Sequence, residues 1–176
     1  MHKTIKIFDC IVIGAGPGGI VSTKELLENG ISNILCLEQA DKLGGVFSKS
    51  YDNLQLTSSA TFSMFSDFYN KMDEDNHFWS KKEAVDYWRR YAEHFNVLDH
   101  IKFNTKVNQV VRLDDGNWQL TLNEQEKLCC KKLVLATGNN CTESYPTWIE
   151  KLTKVKYSHS KHYQNAKPFA GKRVLV

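Results

Sequence analysis

The residues whose types and spacing could do chemistry are Gly14, Ala15, Gly16, Pro17, Gly18, Gly19 and Glu38. Together they could hold the pyrophosphate and ribose of a dinucleotide. In a G-x-G-x-x-G turn the first glycine permits a tight bend and the second lets a pyrophosphate come against bare backbone. The third lets a helix close on the preceding strand. The first N–H groups of that helix have no partners within it, and its dipole is positive there, so phosphate oxygens are attracted to the same place. Glu38 lies nineteen positions beyond Gly19. An acidic side chain at about that distance can accept a hydrogen bond from a ribose 2′-hydroxyl, and its charge repels a 2′-phosphate. The expected ligand of this turn is therefore FAD or NAD, not NADP.

Such residues act only if a strand and a helix position them. Ile11-Val12-Ile13 is a short apolar run ending in the glycine turn, the mark of a buried parallel strand within Lys3–Ile13. Ile20 to Glu28 has apolar residues at helical spacing, with Pro17 near the helix start and Asn29-Gly30 closing it. Ile31 to Leu37 reads as the second strand, ending at Glu38. A second glycine pair, Gly44-Gly45, follows, and suggests another close backbone approach to the same ligand. Val46, Phe47 and the residues after them supply no cysteine pair, which removes thiol–disulfide chemistry on this face.

Further along, Tyr51 to Tyr69 is rich in Ser, Thr and Phe, lacks clear periodicity and reads as a long functional loop. Lys81 to Phe95 reads as an amphipathic helix, with Ser80 and Glu83 as a capping box and with Trp88 and Tyr91 as core. His94 and His100 flank its end and receive no catalytic role. Ile101–Phe103 is a short strand. Val107–Leu113 and Trp118–Leu122 alternate as strands about the Asp114-Asp115-Gly116-Asn117 turn, with Lys127–Cys130 as a third member of an antiparallel meander. Leu133 to Ala136 returns as a buried parallel strand ending in Thr137-Gly138, where an open α/β sheet places its ligand. Asn139 to Ala170 is irregular, and Gly171 to Val176 reads as a new strand.

With 176 residues and a net charge of +3 the chain suits one core, and its scattered Lys and Arg form no nucleic-acid stripe. No apolar stretch has the length of a membrane span. Five cysteines, among them Cys10 and Cys36 in or beside strands, adjacent Cys129-Cys130 and lone Cys141, show no metal-ligand spacing. That pattern fits a reducing, cytoplasmic protein.

Taken together, these segments resemble the class B flavoprotein monooxygenases, the flavin-containing monooxygenases and their Baeyer–Villiger and N-hydroxylating relatives. The resemblance covers almost the whole chain. Gly14 to Gly19 with Glu38 is similar to the family's FAD fingerprint, and Leu43-Gly44-Gly45-Val46-Phe47 to its flavin contact. Tyr51-Asp52-Asn53-Leu54 with Phe65-Ser66-Asp67-Phe68 is similar to its Y-x-x-L…F-S-D-F segment. Tyr87 to Phe95, Phe103 to Val107 and Ala136-Thr137-Gly138 also match. His159 to Tyr163 and Phe169 to Val174 resemble the approach to the NADPH domain.

The resemblance implies an α/β fold: a Rossmann-like, glutathione-reductase-type FAD-binding domain with a parallel sheet and a small antiparallel β-meander. It implies FAD held by Gly14, Ala15, Gly16, Pro17, Gly18, Gly19, Glu38, Gly45, Val46, Phe47, Thr57, Ser58, Val107, Thr137 and Gly138. Val107 would offer backbone atoms to the adenine. NADPH would be the reductant, and oxygen would pass through a C4a-peroxyflavin to a nitrogen, sulfur or carbonyl substrate. The protein would supply position, dryness and hydrogen bonds.

No catalytic residue is assigned, but Thr57 stands where the flavin-containing monooxygenases usually carry an Asn near the flavin. The F-x-G-x-x-x-H pattern survives only at His159, with Thr153 and Val155 at its Phe and Gly places, so it lends little support to the Baeyer–Villiger subclass. The expected division is an FAD-binding domain over 1–170 and the first strand of a truncated NADPH-binding domain over 171–176. The partner would be a second polypeptide or a missing C-terminal NADPH domain, besides a small-molecule substrate. Two alternatives remain open at this point: a non-catalytic FAD-binding remnant or split-enzyme module, and an NAD(P)H-dependent flavin oxidase or reductase.

Overall fold

The computed structural model of the chain describes residues 7–69, 77–123, 125–139 and 142–176. Cys141 and the Lys3–Lys6 start of the first expected strand lie outside them. The chain divides into two compact units. One holds Met1–Ser48 and Val85–Gly138, the other Lys49–Ala84 and Asn139–Val176.

The first unit is built on strand β1 (Ile7–Ile13), buried at Phe8 and from Cys10 to Ile13 as a strand covered on both faces must be. It pairs in parallel with β2 (Ile34–Leu37), which sets Ile13 opposite Leu37. On its other side it pairs in parallel with β8 (Glu126–Leu135), which sets Ile13 opposite Leu135. β2 pairs in turn with β5 (Ile101–Lys102). Beyond β8 the sheet turns antiparallel, through β7 (Trp118–Leu122) to β6 (Val107–Arg112). The order is β5-β2-β1-β8-β7-β6. This is the expected α/β architecture: a parallel sheet carrying a small antiparallel meander. One core cluster joins both parts, with Phe8, Ile11, Ile13, Leu37, Leu120, Leu122 and Cys130 buried together. Each large apolar side chain hidden there contributes about 1.5–3 kcal/mol.

Helix α1 (Pro17–Glu28) links β1 to β2 and packs on both. Gly16 is its N-cap, with extended backbone, and Pro17 opens it where a missing N–H is harmless. It ends in a Schellman motif: Gly30, at φ 78°, donates to the Leu27 carbonyl and Ile31 to the Leu26 carbonyl. The buried thiols serve as small hydrophobes. Burial pushes Cys36 up to about 12 and Cys130 up to about 11, so neither forms a thiolate near neutral pH.

Some elements differ from the sequence reading. The meander's third strand and the returning parallel strand are one ten-residue strand, β8. Its Leu133–Leu135 end is not buried as expected, since Leu133 and Val134 are half-buried and Leu135 is exposed where β7 no longer covers it. Lys131 and Lys132 do not interrupt β8, because both are exposed and the Lys131 ammonium reaches Asp9 on β1 at 2.7 Å. Glu126–Cys130 serves β7, and Cys129–Leu135 serves β1. The strands expected over Ile31–Leu37 and Ile101–Phe103 are shorter, and Val46–Lys49, to which the sequence reading assigns no element, forms a one-turn helix, α2.

In the second unit, Tyr51–Tyr69 is not a plain loop. It contains β3 (Gln55–Ser59) and the one-turn helix α3 (Ala60–Ser63). β3 pairs antiparallel with β4 (Phe78–Ser80). The irregular 142–170 stretch holds single 3₁₀ turns at Ile149–Lys151, Ser160–His162 and Lys167–Phe169. It is tied to the unit's start where Asp52 donates to the Gln164 carbonyl at 2.8 Å. The strand expected over 171–176 is not formed. These residues make a turn and a tail without ladder partners, and Leu175 is fully exposed.

Helix α4 spans Lys81–His94, with Lys81–Ala84 assigned to the second unit and the rest to the first. Ala84, Tyr87, Trp88, Tyr91 and Ala92 are buried along it. Its expected capping box is formed. The Glu83 carboxylate accepts from the Ser80 hydroxyl at 2.7 Å and from the Ser80 N–H at 2.8 Å, and the Glu83 N–H donates back to the hydroxyl. These bonds, the hydroxyl's foremost, hold the Glu83 carboxyl below its ordinary value. Ser80→Ala is expected to cost about 1 kcal/mol near neutral pH. A depressed carboxyl stabilises the fold above its unfolded value of 4.5 and loses that stabilisation as pH falls through the folded value. Glu83 is half exposed, so solvent screening limits its share. The Ser80→Ala deficit should therefore shrink in urea melts at strongly acid pH, and a deficit equal at both pH values would contradict this account.

Candidate dinucleotide-binding site

The site is made of backbone before it is made of side chains. β1 delivers the chain to Gly14, whose N–H bonds the Leu37 carbonyl at 2.8 Å. Gly14 has φ 103°, a conformation other residues rarely adopt, and a Cβ there would lie 2.5 Å from the Ala136 carbonyl oxygen. Ala136, just past β8, is itself held by the Ile13 carbonyl at 2.9 Å. The turn is thus clamped between the ends of β2 and β8. Gly19 closes it: a Cβ there would collide with the Gly14 carbonyl oxygen. First and third glycines therefore do what their spacing predicts.

The second glycine meets the second glycine pair. Gly44 donates to the Ala15 carbonyl at 2.9 Å. A Cβ on Gly45 would stand 3.2 Å from the Gly16 Cα, and one on Gly16 would stand 3.7 Å from the Gly45 Cα. Two bare turns lie against each other, and Gly18 is exposed beside them at the start of α1. A cradle of backbone without side chains, at a helix N-terminus, fits a pyrophosphate.

Glu38 continues from β2 and is only 5% exposed. Its carboxylate accepts from the Ala15 N–H and the Ala40 N–H, both at 2.8 Å. Its own N–H donates to the Lys102 carbonyl, and its carbonyl accepts from Thr105. Two residues past Thr105, Val107 opens β6. Thr137 and Gly138 follow Ala136 and are exposed. Val46 and Phe47 follow Gly45 on α2, with Phe47 ring to ring with Trp88 at 5.0 Å.

The first unit thus gathers the glycine turn, Glu38 and Gly45 in direct contact, with Val46, Phe47, Val107, Thr137 and Gly138 on the segments adjoining them. Thr57 and Ser58 belong to the second unit, exposed on β3, where the Ser58 hydroxyl lies 2.8 Å from that of Ser63. The backbone partners Ala40 and Thr105 are not foreseen from the sequence. Asn104, at φ 52° in the turn before Thr105, carries a readable signal, since Asn tolerates that conformation. Ala40 carries none. Among the described residues no cluster of His, Cys, Asp and Glu could hold a metal ion, and no helix is long and apolar enough to cross a membrane.

The chain is similar to known proteins. The chain is 33% identical to a 4-hydroxybenzoate brominase (decarboxylating) of Marinomonas mediterranea, over 93% of this chain and 33% of that one. It is 32% identical to flavin-containing monooxygenase 5 of Oryctolagus cuniculus, over 94% of this chain and 34% of that one. It therefore spans about a third of the length of the curated relatives it matches. Among solved structures, OTEMO in complex with FAD and NADP superposes with a TM-score of 0.71 at 26% identity, over 82% of this chain and 28% of that one. The model of the flavin-binding monooxygenase-like family matches residues 8–176, so the glycine turns and Glu38 are read in a family setting: the chain belongs to the flavin-binding monooxygenase-like family.

Proposed function

We propose that this chain is the FAD-binding part of an NADPH-using flavin monooxygenase that oxygenates a nitrogen, sulfur or carbonyl substrate. The observation that carries the reading is the pair of touching glycine turns beside a buried Glu38 at the end of β2. Backbone amides at Gly16 and Gly18 would hold the pyrophosphate, and Glu38 would accept from the ribose. Backbone at Val107 would meet the adenine, while Gly45 to Phe47 and Thr137-Gly138 would flank the cofactor. Thr57 and Ser58 would offer hydroxyls to the flavin side, Thr57 in the place of the family's Asn. FAD, when bound, supplies electron storage and oxygen activation; this chain's share is to bind it, orient it and keep water from it. Residues 1–170 form the proposed FAD-binding domain, and 171–176 lead into the NADPH-binding one. The buried free thiols of Cys10, Cys36, Cys129 and Cys130 support a reducing, cytoplasmic setting.

A second reading is a split-enzyme module completed by another polypeptide. It is favoured by β8, which β7 covers only along Glu126–Cys130. From Lys131 to Leu135 the strand pairs only with β1 among the described residues, and Leu135 is 69% exposed. Such an edge invites a further strand.

One experiment tests the function. The 176-residue chain is loaded with FAD, desalted, and mixed with NADPH without oxygen. It should stay yellow and bleach slowly, with rapid bleaching restored by a polypeptide carrying a second nucleotide site. Failure to retain FAD would overturn the proposal, and rapid stoichiometric bleaching of the chain alone would sink the need for another part.

A further inference from the structure

We infer that Glu38 is a positioning residue for the phosphate turn, in addition to any contact it makes with a ribose. The inference rests on the FAD reading for its ligand but not for its geometry. Ala15, between the first two glycines, is completely buried. Its peptide groups are held on both sides: its N–H by the Glu38 carboxylate at 2.8 Å, its carbonyl by the Gly44 N–H at 2.9 Å. No water can take over either bond.

The consequence follows from peptide planarity. In a trans peptide the C=O and N–H point in opposite directions. Fixing the Ala15 N–H therefore aims the Gly14 carbonyl away from Glu38. That carbonyl is the group that leaves no space for a Cβ on Gly19 and that lies 3.5 Å from the Cys36 thiol. In the same way, fixing the Ala15 carbonyl sets the Gly16 N–H away from Gly44. The Glu38 carboxylate and the Gly44 N–H between them thus set the turn whose amides would meet phosphate, before any ligand arrives.

The second carboxylate oxygen holds the Ala40 N–H at 2.8 Å, on the way to Gly44. Glu38 therefore braces the first glycine turn through one oxygen and the start of the segment leading to the second through the other. Both bonds require acceptors. A carboxylate has two oxygens with about four acceptor sites, so a ribose hydroxyl can still be received. A Gln amide has one oxygen, and its NH₂ would face one of the two N–H groups. An isosteric change should therefore undo a brace that size alone would keep.

The test separates bracing from ribose contact. Affinities of the wild type and E38Q are measured for FAD and for an FAD whose adenosine carries 2′-deoxyribose, at a temperature where both proteins show the same circular dichroism. If Glu38 only receives the ribose hydroxyl, the two proteins bind the deoxy analogue equally, and that result overturns the inference. Bracing predicts that E38Q is weaker for the deoxy analogue also, by about tenfold or more, a step of about 1.4 kcal/mol. Should E38Q not fold, amide exchange in the flavin-free wild type decides. Ala15 and Ala40 amides protected as strongly as those of β1 support the brace, and exchange at solvent rates overturns it. A wild type that binds no FAD would sink the proposed function, while amide exchange would still decide the role of Glu38.

Discussion

Gly16→Val is expected to give a folded protein that does not retain FAD. The backbone at Gly16 lies at φ −75° and ψ −178°, extended geometry that any residue adopts. Its Cβ would meet only Gly45, at 3.7 Å from the Cα and 4.0 Å from the nitrogen, which is ordinary contact. Nothing in the turn therefore forbids a side chain on conformational grounds. What valine adds is two methyl groups on a surface made of bare backbone, at the one glycine whose role is to admit a pyrophosphate. FAD affinity should fall by about 100-fold or more, roughly 2.7 kcal/mol. Visible absorbance after desalting reads the loss, and circular dichroism shows the fold retained. Gly16→Ala, with one methyl in contact, should fall between. A yellow, FAD-replete Gly16→Val protein would contradict the placement of the phosphates.

The parts of the site legible in the sequence are those whose residue types are forced by backbone geometry. Gly14 and Gly19 are forced, because a Cβ at either would meet a backbone oxygen. Pro17 and Gly30 mark the ends of α1 by the asymmetry of helix termini. The capping box at Ser80 and Glu83 is forced in the same sense, since helix ends leave donors that only certain side chains satisfy. Glu38 is legible as a position and as a charge. Its bonds to Ala15 and Ala40 are not, because the donors are peptide N–H groups that every non-proline residue carries.

The elements that differ share a different cause. Lys131-Lys132 separates two apolar runs in the sequence, yet a strand whose faces both reach solvent over those residues carries charge without losing its ladder. β3 is short and polar, with little alternation between buried and exposed residues, so periodicity could not separate it from loop. The tail at 171–176 shows the converse. Its Arg173-Val174-Leu175-Val176 run has strand composition, but composition forms no strand without a neighbour to pair with. Phe47 lies between these cases. The family resemblance marks it as a flavin contact, and its ring rests on Trp88, a buried residue of α4, which would hold it in place.

A paired measurement within one helical turn gives the second large effect, with opposite signs at adjacent glycines. Gly18 and Gly19 both lie in the first turn of α1, and by helix propensity alone either would gain up to about 1 kcal/mol on change to alanine. Gly18 is exposed and a Cβ there meets nothing within 4 Å, so Gly18→Ala should be neutral or stabilising. Gly19 is buried against the Gly14 carbonyl oxygen, and a Cβ there would overlap it. That oxygen cannot swing aside cheaply. Its residue is fixed by the Leu37 carbonyl, and its peptide by the bond from Ala15 to Glu38. Helix α1 must therefore shift away from β1, and with it the amides that face the cradle. Overpacking costs about 1–3 kcal/mol where neighbours can give, and more where they are backbone. Set against the propensity gain, Gly19→Ala should lose roughly 2 kcal/mol or more. Urea unfolding followed by circular dichroism compares the two variants directly. A Gly19→Ala protein as stable as Gly18→Ala would mean that the turn is looser than described, and that the first and third glycines do not hold the helix to the strand.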